Sequence, residues 1–155
     1  MNDDVYFLRC AIQQAREARE DGNHPFGAIL VDNEGNVVLS AKNTVHTERD
    51  ATGHAETNLM REASKTFDRE FLQHCTLYTS TEPCAMCAGA VYWAGVGRVV
   101  YGVSEDTLFQ MTGANPENET MRLPCREVFV RGQHAVEVIG PLLEDEAAVA
   151  HAGFW

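Results

Sequence analysis

The chain has 155 residues, the size of one ordinary domain, and 45% of them are hydrophobic against 23% charged, as in globular proteins. Its 12 Lys and Arg stand against 23 Asp and Glu, and this formal net charge of −11 argues against a nucleic-acid backbone or an anionic membrane as main partner. No apolar run approaches the roughly 18 residues of a membrane span, and the acidic start lacks the basic region of a signal peptide, so we expect a cytoplasmic protein.

The first part of the chain is predicted to form a helix, a hairpin and a second helix. Apolar residues recur at three- and four-residue steps over 5–20, which predicts an amphipathic helix with Asp4 as its N-cap. Short apolar runs at 28–31 and 37–41 flank an Asp-Asn-Glu-Gly-Asn turn, which predicts a β-hairpin. A polar loop then leads to strong helix formers at 54–65.

The rest of the chain alternates predicted strands and helices. Strands are predicted at 76–80, 98–103 and 136–139, and helices at 83–94 and 144–151. Residues 104–135 are expected to hold one short helix, a loop and an unassigned segment. Strands alternating with helices after a hairpin predict an α/β sandwich with a mixed sheet. No linker interrupts the chain, so we expect one domain over residues 1–155.

Five cysteines are present, and an odd number in a chain of this length is not typical of a disulfide framework. Cys10, Cys75 and Cys125 are expected to be buried small residues. Cys84 and Cys87 form a C-x-x-C pair, which in a reducing compartment indicates metal or redox chemistry.

Two short segments carry candidate metal ligands at predicted helix starts: residues 54–56 (His-Ala-Glu) and 83–87 (Pro-Cys-Ala-Met-Cys). Cys84 and Cys87 are three residues apart, so both thiolates lie on one helix face and can hold one ion. Two helix N-termini aimed at one point favour thiolates. With His54, one nitrogen and two sulfur ligands suit zinc. Three protein ligands leave the fourth position that a catalytic zinc site keeps open.

Glu56 lies two positions after His54 and is placed to carry protons to and from a zinc-bound water. A structural zinc site is an alternative interpretation. It would need a fourth ligand, for which His46, His74 and Cys75 are nearest in sequence, and it would leave Glu56 without a role. A redox C-x-x-C pair is a second alternative, but it would not require the His-x-Glu motif.

Together these motifs resemble the cytidine-deaminase-like superfamily, whose signature combines H-x-E with P-C-x-x-C, and the resemblance covers nearly the whole chain. The stretches similar to its guanine-deaminase and tRNA-adenosine-deaminase branch are 23–28, 43–44, 52–56 and 78–87, and 90–94 leans toward guanine deaminases. Two positions depart from the branch: Ala51 replaces a usual Pro, and Gly53 replaces a usual Ala. The resemblance implies a three-layer α/β/α sandwich with a mixed five-stranded sheet.

The resemblance also implies a role for each matching residue. His54, Cys84 and Cys87 would bind Zn²⁺, one ion per subunit. Glu56 would shuttle protons from the zinc-bound water to the substrate ring nitrogen and then to the departing ammonia.

For substrate binding, the resemblance implies hydrogen bonds at the ring edge. The Asn43 side chain and the backbone N–H of Ala55 would bind the carbonyl or ring edge, and the Ser80 carbonyl would accept from the amino group. Phe26 and Trp93 are expected to sandwich the heterocycle.

Two further features are expected from the same branch. A second acid on the loop after the fourth strand assists ammonia departure in guanine deaminases, and Glu117 or Glu119 is the candidate here. The terminal Phe154 and Trp155 are placed to cover the pocket, or to dock on a partner subunit of the expected homodimer.

The sequence therefore predicts hydrolytic deamination of a small-molecule amino-heterocycle, above all a purine base such as guanine. A nucleoside such as guanosine, cytosine and an amino-triazine remain open. Deamination of tRNA adenosine ranks below them, because a chain with a net charge of −11 lacks the cationic surface that a phosphate backbone requires. A zinc-stabilised scaffold without activity is the alternative of a different class.

Overall fold

The computed structural model describes residues 3–155, and its centre is a mixed five-stranded sheet in the order β2-β1-β3-β4-β5. The strands are β1 (Gly27–Val31), β2 (Val37–Lys42), β3 (Thr76–Thr81), β4 (Arg98–Val103) and β5 (Glu137–Ile139). β1 is antiparallel to both β2 and β3, whereas β3, β4 and β5 run parallel. The mixed sheet predicted from the sequence is confirmed.

Helices cover both faces of this sheet. They are α1 (Asp4–Glu20), α2 (Ala55–Thr66), α3 (Arg69–Gln73), α4 (Ala85–Ala94), α5 (Glu105–Thr112), α6 (Cys125–Phe129) and α7 (Glu144–Ala148), followed by a 3-10 turn (Val149–His151). α2, α3, α4 and α6 contribute to the core on one face, and α1, α5 and α7 contribute to the core on the other. This is the expected three-layer α/β/α arrangement.

The strands serve both cores because successive side chains point to opposite faces of a sheet. In β1, Leu30 belongs to the core beneath α2 and α4, while Ile29 belongs to the core beneath α1. α1 lies very close to the sheet at Gly27, where a Cβ atom would overlap the backbone nitrogen of Ala15. Glycine is therefore required where the first strand leaves the site described below.

The predicted strands are confirmed to within one residue at each end. The prediction that Asp4 caps α1 is wrong: Asp3 is the N-cap residue, and Asp4 lies inside the first turn. Its carboxylate accepts hydrogen bonds from Tyr78 Oη at 2.6 Å and Arg98 Nη2 at 2.7 Å, because a buried acid must be paired. α3 and α6 were not predicted, since five residues are too few to show a helical period. Between residues 3 and 155, no helix is both long and apolar enough to cross a membrane.

Candidate active site

The candidate site lies at one edge of the sheet, where several chain segments meet. β2, β3 and β4 end at this edge, and β1 begins there, because β1 is antiparallel to its neighbours while β3 and β4 are parallel. Asn43 therefore follows β2, Glu105 follows β4 and Phe26 precedes β1 at the same end of the molecule. The N-termini of α2 and α4 lie at this edge too, and the two helices pack against each other.

His54, Cys84 and Cys87 form a compact cluster at these two helix starts. His54 and Cys84 are the N-cap residues of α2 and α4. The Nδ1 atom of His54 lies 3.5 Å from Cys84 Sγ and 3.6 Å from Cys87 Sγ. Tetrahedral zinc, with Zn–N of about 2.05 Å and Zn–S of about 2.3 Å, requires a nitrogen–sulfur separation of about 3.6 Å. The cluster therefore fits a zinc ion at its present spacing.

The electrostatics of the cluster also favour a cation. Hydrogen bonds from Cys87 and His54 lower the pKa of the Cys84 thiol to about 4, and the bond with Cys84 raises the pKa of His54. The Thr57 hydroxyl lies 3.2 Å from Cys87 Sγ and holds the second sulfur in place. Metal binding at such a site displaces protons from the ligands, so zinc affinity falls in acid.

Three protein donors make up this cluster in the described part of the chain. Of the residues considered as a fourth ligand, Cys75 donates its thiol to the Phe71 carbonyl and His74 is the C-cap of α3. His46 belongs to a different group of donors. Three ligands are the number typical of catalytic zinc, which keeps a fourth position for water, and not of a closed structural site.

Glu56 lies in the first turn of α2 and is 6% exposed. Burial, with a further contribution from the Cys84 thiolate, raises the pKa of Glu56 to about 7, against a smaller opposite effect of His54. Its side chain also hydrogen-bonds Thr79. A carboxyl group that titrates near neutral pH can both accept and donate a proton at working pH, as general acid–base chemistry requires.

His54, Cys84 and Glu56 line one cavity of about 380 Å³, and Cys87 is buried beside them. Phe26, Leu108 and Met121 are among its apolar walls. Asn43 is 1% exposed in the cavity wall, and its Oδ1 accepts the Val45 N–H at 3.0 Å. Within residues 3–155 the Asn43 NH₂ group has no hydrogen-bond partner, so two donors remain for a ligand.

Residues 1–103 match the family described as the cytidine and deoxycytidylate deaminase zinc-binding region, and this range contains His54, Cys84 and Cys87. The chain belongs to this family. It is 45% identical over 152 residues to a protein described as a probable cytosine deaminase from Schizosaccharomyces pombe, covering 98% of this chain and 92% of the relative.

Two further relatives within the family differ in the activity that their names state. A tRNA-specific adenosine deaminase from Bacillus subtilis is 36% identical over 155 residues, covering 100% of this chain and 90% of the relative. The solved structure of guanine deaminase from Bacillus subtilis superimposes with a TM-score of 0.63 at 38% identity, covering 71% of this chain and 69% of that one. The chain is thus a zinc-dependent deaminase of the cytidine deaminase family.

Several residues predicted to contact the substrate do reach the cavity of this family member. Asn43, Phe26, Glu117 and Glu119 all line it. Ala55 is fully buried between two lining residues, and its N–H, at the first position of α2, has no acceptor within the helix.

Two predicted contacts do not reach the cavity. Trp93 is 75% exposed on α4 and lines no part of it, so that prediction is wrong. The residue lies six positions after Cys87, a rotation of about 240° around the helix, which turns it away from the zinc cluster. Ser80 is not among the residues that line the cavity, whose wall begins at Thr81, and the role of its carbonyl stays a prediction. Ser80 Oγ accepts the Gly27 N–H at 3.1 Å.

The C-terminal aromatic pair docks on its own chain but does not cover the cavity, so the predicted lid is wrong for this subunit. The Trp155 indole N–H donates to His151 Nδ1 at 2.9 Å, and Arg19 lies 5.3 Å above the Phe154 ring. Trp155 packs at 5.3 Å from the ring of His24, which lines the cavity. The pair therefore packs against His24, a residue of the cavity wall.

Two buried acids at the cavity were not identified from the sequence. Glu82 is 5% exposed, and its carboxylate accepts the N–H of Glu105 at 2.9 Å and of Cys125 at 2.7 Å, so it joins the starts of α5 and α6. Glu105 lines the cavity, and burial raises its pKa to about 9. The sequence did offer a signal for Glu105, because it follows β4 closely and β3, which precedes the cysteines, was also a predicted strand.

The unusual glycine before the ligand histidine has a steric reason. A Cβ atom on Gly53 would lie 2.8 Å from Thr44 Oγ1 and 3.0 Å from the Asp50 carbonyl oxygen. The Thr44 N–H also donates to the Gly53 carbonyl at 2.8 Å. The loop that leads into His54 is thus packed too closely for a side chain at this position.

Proposed function

We propose that this chain removes the amino group of a free heterocyclic base as ammonia, with guanine as the leading substrate. The proposal rests mainly on one arrangement. The buried Glu56 lines the same cavity of about 380 Å³ as His54 and Cys84 of the zinc cluster, and this volume is within the size range of small-molecule sites.

The reaction replaces a ring C–NH₂ group by C=O, consuming one water and releasing one ammonia. When bound, zinc supplies the Lewis acidity that makes water a nucleophile at neutral pH. Glu56 takes a proton from the attacking water, delivers one to the adjacent ring nitrogen and then protonates the departing amino group. A pKa of about 7 suits Glu56 to both directions of transfer.

The remaining lining residues would orient the ring. The free NH₂ group of Asn43 and the backbone N–H of Ala55 are donors for a ring carbonyl or nitrogen. Phe26 offers an aromatic face against which the heterocycle can stack. We propose Glu117 or Glu119, both in the cavity wall, as the second acid that assists ammonia release.

Charge favours a small free base over a tRNA loop. Glu117 and Glu119 lie at the cavity mouth, and the whole chain carries a net charge of −11. The negative potential there would repel the phosphates of a nucleic-acid backbone, whereas it would not repel a neutral base.

Cytosine is the second candidate. The relative named as a probable cytosine deaminase aligns over 98% of this chain, whereas the guanine deaminase structure aligns over 71%. Both bases carry an amino group on a carbon next to a ring nitrogen, so the same chemistry serves either. The assembly of two chains into a homodimer also remains a prediction.

The test is ammonia release by the purified zinc-loaded protein, followed with a coupled enzyme assay. Guanine, cytosine, guanosine, adenine, isoguanine, an amino-triazine and a tRNA anticodon stem are compared at equal concentration. We expect turnover of guanine and none of the tRNA stem. Activity on cytosine alone would replace the purine assignment, activity on the stem alone would overturn the free-base proposal, and no activity anywhere would favour a zinc-stabilised scaffold.

A further inference from the structure

A second group of metal-type donors lies at the mouth of the cavity: His24, His46 and Glu117, here called the rim cluster. Their donor atoms all lie within 4.8 Å of one another. They come from three distant segments, because His24 precedes β1, His46 follows β2 and Glu117 lies between α5 and α6. His24 and Glu117 also line the cavity.

Each carboxylate oxygen of Glu117 faces one imidazole. His46 Nε2 lies 3.2 Å from Oε1, and His24 Nε2 lies 3.9 Å from Oε2. The other ring nitrogen of His46, Nδ1, lies 3.1 Å from the Gly22 carbonyl oxygen. A carbonyl can only accept, so Nδ1 carries the proton, and in a neutral imidazole Nε2 turns a lone pair toward the carboxylate. Such a contact is repulsive unless a positive charge lies between the two groups.

His24 points to the same requirement independently. The residue is 6% exposed, and its Nε2 atom is buried with no hydrogen-bond partner in the described chain. A proton on His46 would satisfy the His46–Glu117 contact but would leave the buried His24 nitrogen unpaired. Unpaired buried polar atoms are costly, and one cation in contact with all three donors would resolve both features.

The cluster is held in place by its surroundings. Asn23, which is 2% exposed, accepts the backbone N–H groups of His46 and Thr47, each at 3.0 Å. This side chain therefore fixes the loop that carries His46 against the segment that carries His24. The Gly22 carbonyl orients the His46 ring, as the outer partners of metal-binding histidines do.

We propose that the rim cluster binds a second divalent transition-metal cation, separate from the zinc at His54, Cys84 and Cys87. Two imidazole nitrogens and a carboxylate suit Zn²⁺, Co²⁺ and similar ions, but not Mg²⁺ or Ca²⁺, which prefer oxygen. Donors around a tetrahedral ion bound at about 2.1 Å lie about 3.4 Å apart, and His46 Nε2 is 3.2 Å from one Glu117 oxygen while His24 Nε2 is 3.9 Å from the other. The bound ion ties the loop of residues 113–124 to the opposite side of the cavity mouth.

The test counts metal ions in the whole purified chain. Zn²⁺ and Co²⁺ are titrated by calorimetry and bound metal is measured by elemental analysis, for the wild type, His46→Gln and Glu117→Gln. The exposed residues His74 and Glu127 give the matched controls His74→Gln and Glu127→Gln, which change the same groups away from the cluster. We expect two ions per chain in the wild type and the controls, and one ion in either rim variant.

Cobalt absorption separates the two sites. The first equivalent should produce the intense thiolate-to-cobalt band of the cysteine site, and the second should add weak visible bands without it. The second equivalent should also slow proteolysis within 113–124 in the wild type but not in Glu117→Gln. One ion per chain at saturating metal would overturn the proposal. So would a second ion that survives both rim variants, since it would then belong to scattered surface carboxylates.

The substrate screen and this metal count fail independently. Loss of the thiolate band would contradict the zinc site on which the proposed function rests, whereas an intact band without a second ion would contradict the rim cluster alone.

Discussion

Replacing Glu56 by glutamine removes a proton carrier while leaving the shape of the site almost unchanged. Glutamine has the same length, and its amide can keep the hydrogen bond with Thr79. None of the three zinc donors is altered, so zinc content should stay at the wild-type level. The variant therefore separates proton transfer from metal binding.

This change should lower the rate of the reaction and raise the stability of the metal-free protein. A positioned general acid–base contributes about 10²–10⁴ in rate, so kcat should fall by at least about 100-fold, or roughly 3 kcal/mol. Burial raises the pKa of Glu56 from 4.5 to about 7, so the folded chain binds this proton more tightly than the unfolded chain. Stability is therefore lost as pH rises from 4.5 to 7, and at pH 8 Glu56→Gln should stabilise the metal-free protein by up to about 3 kcal/mol.

The assays are ammonia release at matched zinc occupancy and urea unfolding of the metal-free protein at pH 8. Glu62→Gln is the matched control, because Glu62 lies on the same helix, is exposed and is remote in sequence from the zinc donors. It should change neither quantity. A zinc-loaded Glu56→Gln protein that keeps more than a tenth of the wild-type rate would refute the role given to Glu56. A fall in the stability of the metal-free variant would refute the desolvation argument.

Three further predictions concern the walls of the site. Burial lowers the pKa of His151 to about 4, so the unfolded chain binds a proton that the folded chain excludes, and this residue's contribution to stability falls by about 2 kcal/mol between pH 7 and 5. In urea unfolding, His151→Gln should therefore gain about 2 kcal/mol relative to the wild type between pH 7 and pH 5, and a difference that does not change with pH would contradict the burial effect. Ending the chain after residue 153 removes the Trp155 hydrogen bond with His151 and its packing against His24, so KM for the best substrate should rise more than kcat falls. An unchanged KM would contradict the role of the C-terminal pair in positioning the cavity wall. Glu82→Gln replaces a buried carboxylate that accepts two backbone N–H groups, and thermal unfolding should show a loss of stability of roughly 1.5–3 kcal/mol that Glu127→Gln does not share. Equal stability of the two variants would contradict this role of Glu82.

Much of the architecture could be predicted because it follows from local sequence patterns of apolar, helix-forming and turn residues. Strands β1, β2 and β4 contain apolar runs, α1 shows a helical period, α2 is rich in helix formers, and Pro83 marks the start of the segment that forms α4. The short helices α3 and α6 lack such a period, and their positions follow from packing against the rest of the fold.

The sequence by itself determined the chemistry of this protein. His54, Cys84 and Cys87 have the donor types and spacing of a zinc site, and Glu56 is placed by its distance along the chain from the ligand histidine. The spacing of Cys84 and Cys87 and that of His54 and Glu56 span two or three residues, so the geometry of a single helix turn is sufficient to infer them, whereas the pairing of the two segments was inferred from the family resemblance.

Only the tertiary structure decided which residues form the walls around that chemistry. Trp93 is turned outward by the rotation of α4, Glu82 and Glu105 meet because β3 and β4 end side by side, and Trp155 docks behind the wall instead of over the cavity. Residues far apart in sequence are brought together by strand order, strand ends and helix rotation. A one-residue change in any of these turns a side chain to another face, and local patterns do not specify them to that accuracy.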